Sequence, residues 1–160
     1  MSDQNAPIHR SYDGWYTYHT PSGSEGRCYV QVYEPRGGIP VVIVTEAPNN
    51  PGPSVPYVSD IIATQIWHGL VPNAREGFRL VEVFLDPARF ARVGLERPKS
   101  VVAALMLQMK WAQGMPETLL EVSYTIDGDR LTRPEYKATT RVQVEALIGG
   151  PFSVPFTRSY

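Results

Sequence analysis

Two carboxylates, a pair of asparagines and a single thiol are the residues of this chain best suited to chemistry. Glu46 closes the apolar run Pro40-Val41-Val42-Ile43-Val44-Thr45, and Glu82 interrupts Phe78-Arg79-Leu80-Val81-Glu82-Val83-Phe84-Leu85. Strand alternation puts Glu82 on one face with Phe78, Leu80 and Phe84. A carboxylate in such company either stands at a wet edge or is buried with a partner. Burial would raise its pKa and make it a candidate general base. Should Glu46 lie on the neighbouring strand, the two carboxylates are the candidate catalytic pair, suited to hydrolysis or to holding a divalent cation.

A cysteine nucleophile needs a partner that makes it a thiolate. Cys28 is the only cysteine, so no intramolecular disulfide and no cysteine-rich metal site is expected. One register of an N-terminal hairpin sets His19 opposite Cys28; a shift by one residue sends them to opposite faces. A small buried Cys28 among Val30 and Val32 is the simpler expectation. His9, His19 and His68 are too scattered to suggest a metal centre, and neither a metal nor a cofactor is expected. The chain has no G-x-S-x-G, H-E-x-x-H or C-x-x-C motif.

The element that must position the carboxylates is a strand, stiff loop and helix between Ile39 and Leu70. The β-branched run Val41 to Val44 lacks polar alternation, which predicts a strand over 40–46 buried on both faces. Pro48, Pro51, Pro53 and Pro56 stiffen the loop that follows. Ser54 is a candidate N-cap, with Pro56 in the first turn. Steps of 100° from Val55 gather Val55, Val58, Ile62, Ile66 and Gly69 into a core stripe. The same steps leave Asp60, Thr64, Trp67 and His68 on the outer flank.

A further strand at Phe78 would complete a strand-helix-strand crossover, whose ligands gather beyond the carboxyl end of the first strand. That rim makes Thr45, Glu46, Asn49, Asn50 and Ser54 the candidate ligand-binding residues. Phosphate is a poor fit there. The prolines delete N–H donors, no Lys or Arg occurs between Arg36 and Arg75, and neither G-x-x-x-x-G-K-S/T nor G-x-G-x-x-G is present.

The rest of the chain supplies neighbours. Gly14 to His19 and Arg27 to Glu34 flank a turn cluster and read as a hairpin dense in aromatics. Only one face of a hairpin meets the core, so some of Trp15, Tyr16 and Tyr18 should be exposed. With Trp67 on the outer helix flank, these are the candidate partner-binding residues. Thr118 to Ile126 reads as a strand, Asp127-Gly128-Asp129 as a turn, and Arg130 to Arg133 as a short return before Pro134. Thr139 or Thr140 caps a helix over Arg141 to Ile148, stopped by Gly149-Gly150-Pro151. Ser100 to Trp111 reads as a helix, with a strand as the rival.

Together these elements predict an α+β fold: one mixed sheet of about five strands packed by two or three helices. The length fits a single globular domain over 12–150, between a flexible terminus at 1–11 and a tail at 151–160. No apolar stretch is long enough for a membrane span, and the first ten residues carry no signal core, so a cytoplasmic location is expected. A net charge of −1 exerts no global pull on nucleic acid. Residues 75–110, with seven basic and four acidic side chains, give only weak support for nucleic-acid binding.

Two readings of function follow. One is a non-catalytic binding or regulatory module that engages another protein through its aromatic surface. The other is a small hydrolase-like enzyme with a polar pocket built from Glu46, Asn49, Asn50 and Glu82.

Overall fold

Strand β3 (Val41–Glu46) is buried at every position, as its unbroken β-branched run requires. The computed structural model describes residues 9–20, 23–34, 39–47, 58–85, 118–128 and 130–153. The other strands are β1 (His9–His19), β2 (Glu25–Glu34), β4 (Arg79–Phe84), β5 (Thr118–Asp127) and β6 (Arg130–Thr139). They form one six-stranded sheet in the order β1-β2-β3-β4-β5-β6. Every pairing is antiparallel except β3 with β4, which is parallel. The parallel step exists because helix α1 (Val58–Gln65) carries the chain back along the sheet before β4 begins. The fold is thus the expected mixed α+β sheet, with six strands where about five were anticipated.

The additional length comes from β6, which runs straight through Pro134. Ser123 pairs with Glu135 and Thr125 with Thr132, so two residues of β6 stand against Tyr124 alone. This bulge absorbs Pro134, and the absent N–H is tolerated on a strand with β5 as its only sheet neighbour among the described residues. At the other end, β1 starts at His9, inside the stretch read from sequence as a flexible terminus.

Alternation along the strands divides the core in two. On one face Val30, Val32, Val42, Val44, Leu80 and Val122 pack against Val58, Ile62, Ala63 and Ile66 of α1 and the turn after it. On the other, Tyr33, Val41, Ile43, Val81, Val83 and Leu119 meet Val144 and Ile148 of helix α2 (Arg141–Ile148). Helix α2 has the ends expected of it. Thr140 accepts from the Gln143 N–H while the Gln143 side chain returns to the Thr140 N–H, and Gly149 closes the helix in the left-handed region at φ 79°.

Past Gln65 the chain stays helical until a kink at Gly69, whose φ of 127° lies outside the helical region. Trp67, expected on the outer flank, is 5 % exposed because it continues the buried row of Ser59 and Ala63 at four-residue spacing. Gly69, expected in the core stripe, is exposed. The segment 100–111, expected to be helix or strand, lies outside the described residues.

Candidate functional site

Register brings both carboxylates and the thiol to one face of the sheet. Cys28 of β2 stands opposite Glu46 of β3, and Val44, two residues before Glu46, stands opposite Glu82 of β4. Glu46 and Glu82 are therefore diagonal neighbours on adjacent strands, on the side that α1 covers. All three residues are buried. The amide of Ser59, in α1, donates to Glu82 Oε1 over a long 3.4 Å. Burial pushes the Cys28 thiol well above its usual range, and the charges of Glu46 and Glu82 push it the same way.

That environment keeps the thiol protonated, which removes Cys28 as a nucleophile. The register removes its possible base as well. Cys28 pairs with Tyr16, while His19 pairs with Glu25 and so points to the opposite face. His19 Nε2 lies 3.2 Å from Glu25 Oε1 at the solvent-exposed end of the hairpin. Of the two registers left open by the sequence, the hairpin takes the one that separates His19 from Cys28.

A second polar group lies beside the carboxylates. Tyr124 donates to Asp60 Oδ1 at 2.7 Å, and Tyr136 to the same oxygen at 3.1 Å. Burial raises the Tyr124 pKa, reinforced by the negative charge of Asp60 and the hydrogen bond to it, with Glu82 adding further. Asp60 was expected on an outer flank. Instead it ties α1 to the β5–β6 pair, where Tyr136 stands opposite Val122 and Tyr124, two residues on from Val122, shares its face beneath the helix. Its partners lie 64 and 76 residues away in the chain. No local spacing announces such a contact.

Compared with known proteins, the chain matches no family model, no curated protein and no solved structure.

The ligand-binding set does not converge as a unit. Thr45 is buried on the α2 face opposite Tyr29, whereas Glu46, one residue on, faces α1. Asn49, Asn50 and Ser54 lie outside the described residues. Among the described residues, no group of three or more His, Cys, Asp or Glu side chains is arranged to hold a metal ion. Nor is any helix among them long and apolar enough to cross a membrane.

The aromatic set divides by face. Tyr12, Tyr16 and Tyr18 point toward α1 and pack on its core, with Tyr18 only 2 % exposed. Trp67 is buried on the same side. Tyr18 and Trp67 are thus core residues rather than surface anchors. Trp15 alternates to the other face and is 42 % exposed. Its ring meets Tyr29 edge-on, with centroids 5.5 Å apart, and the Arg27 guanidinium sits 4.3 Å from its centroid. Sequence reasoning named Trp15 but not its neighbours. The signal lay in the hairpin register, since Trp15 pairs with Tyr29 and Thr17 with Arg27.

Proposed function

We propose that this protein is a non-catalytic binding module that engages another protein through Trp15, Arg27 and Tyr29 on the outer face of its N-terminal hairpin. The observation that carries this reading is the exposure of Trp15 on a rigid two-stranded support, with its ring already held by Tyr29 and Arg27. Trp, Tyr and Arg are the residues that dominate protein interfaces. A side chain ordered before binding loses less freedom on docking. The cation over the indole also presents charge beside an apolar plate, a combination suited to a partner with a matching acidic rim.

A carboxylate-based hydrolase is the second reading, and it draws on the diagonal placement of Glu46 and Glu82. It is the weaker one. Both carboxylates lie beneath α1, Glu82 is fully buried, and a backbone amide already occupies one of its oxygens.

The test is comparative affinity capture from the native host with the wild-type chain, Trp15→Ala, and Val142→Ser as a control at an exposed apolar position on α2. A protein retained by wild type and by Val142→Ser should be lost from Trp15→Ala. A hot-spot side chain of this kind is worth about 2 kcal/mol or more, roughly thirtyfold in affinity. Equal retention by all three chains would refute the reading.

A further inference from the structure

We infer that the cleft between the end of the helix after α1 and the start of β6 binds a small organic carboxylate carried on a flat apolar body. The cleft is lined by Thr64, Trp67, His68, Arg130 and Leu131 and has a volume of about 190 Å³. Cavities of about 150 Å³ take up a single benzene ring. The cleft has room for one ring. This inference is independent of the Trp15 surface, which lies on the opposite face of the sheet.

The lining divides into an apolar part and a basic part. Trp67 is buried, and Leu131 packs on the core beneath α1, so together they offer an apolar floor. His68 and Arg130 are exposed and bring an imidazole and a guanidinium to the same cleft. A guanidinium donates two parallel N–H bonds to a carboxylate, and an imidazole retains one N–H donor in either neutral tautomer. Thr64 directs its hydroxyl proton to the Asp60 carbonyl at 3.1 Å, so it contributes wall rather than donor. The Asp60 carboxylate accepts from Tyr124 and Tyr136. Asp127 stands opposite Arg130 in the hairpin.

The backbone turns away here: Gly69, at φ 127°, leaves the helical region directly after His68. Trp67 is buried and His68 beside it is exposed. A bare inorganic anion would leave the indole and Leu131 unused, which is why the apolar body belongs to the ligand.

The experiment titrates the full chain with benzoate, benzamide and inorganic phosphate while following the Trp67 indole N–H resonance, assigned through Trp67→Phe. Benzoate should shift it saturably, with a Kd on the order of 1 mM, as expected for so small a ligand. Benzamide and phosphate should bind about tenfold more weakly or not at all, since each lacks one of the two recognition elements. Arg130→Gln should weaken benzoate about tenfold. His68→Gln gives a second surface variant with the same expected direction. The inference is overturned if the resonance does not move, or if benzamide or phosphate binds as well as benzoate. Wild-type affinity in both Arg130→Gln and His68→Gln would overturn it equally.

Discussion

Cys28 is buried at 0 % exposure, opposite Glu46 and two strands away from Glu82. Ionising it there would place a third negative charge in the same low-dielectric layer, so both burial and the two carboxylates hold the proton on sulfur. Tyr124 is held in its neutral form by the same kind of surroundings, burial first and Asp60 second. Two outcomes follow. The native protein should release no thionitrobenzoate from Ellman's reagent at pH 8 and one equivalent once guanidinium has unfolded it; rapid native reaction would place the thiol at the surface. Stability should also decline at alkaline pH. In the unfolded chain Cys28 loses its proton at about pH 8.5 and Tyr124 at about pH 10, while the folded protein keeps both. Between those values and the higher folded ones, the folded state binds more protons, so the free energy of unfolding falls as pH rises. Urea midpoints measured from pH 7 to 10.5 should be flat to about 8.5 and then drop. Cys28→Ala should remove the first part of the slope and Tyr124→Phe the later part.

At the scale of elements, the N-terminal hairpin depends on one close approach. Gly26 pairs with Tyr18 across β1 and β2, and a Cβ on Gly26 would run into the Tyr18 ring. That ring is 2 % exposed and has no solvent to swing into. Gly26→Ala should therefore cost about 1–3 kcal/mol, the usual range for overpacking. In a Tyr18→Ala background the same substitution should cost far less, and urea melts of the four chains give the coupling directly. Additive costs would mean that the ring and the glycine do not meet. The hairpin and β3 were legible because β-branched and aromatic runs separated by turn clusters leave few alternatives. Helix α2 was legible for a similar reason, since Thr140 and Gly149 mark its two ends. The full length of β6 was not legible. Pro134 reads as a strand breaker until the bulge opposite Tyr124 accommodates it. The burial of Trp67 was missed as well, because the stripe drawn from Val55 left out the adjoining row of Ser59, Ala63 and Trp67.

For the whole molecule, what sequence could not supply was the pairing of distant parts. It named Glu46 and Glu82, yet their common face rests on the parallel register of β3 and β4. It grouped Thr45 with Glu46, although alternation turns them to opposite faces. It also left Asp60 outside, where two tyrosines from the far hairpin now hold it. These contacts depend on a single sheet serving two cores. Strand β3 contributes Val42 and Val44 to the α1 side and Val41 and Ile43 to the α2 side. Neither core can therefore dissolve while the other persists, since each loses its central strand with the other. Ile43→Ala should cost about 2–5 kcal/mol, and Val44→Ala a comparable though smaller amount. Each substitution, though confined to one face, should lower a single shared unfolding midpoint. That midpoint should coincide by far-UV circular dichroism, by tryptophan fluorescence and by the appearance of Cys28 reactivity, which reports on the α1 side alone. If Ile43→Ala shifted the circular dichroism transition while Cys28 stayed protected to the wild-type midpoint, the two layers would be unfolding separately. The sheet would then not be the one cooperative unit that its shared strand implies.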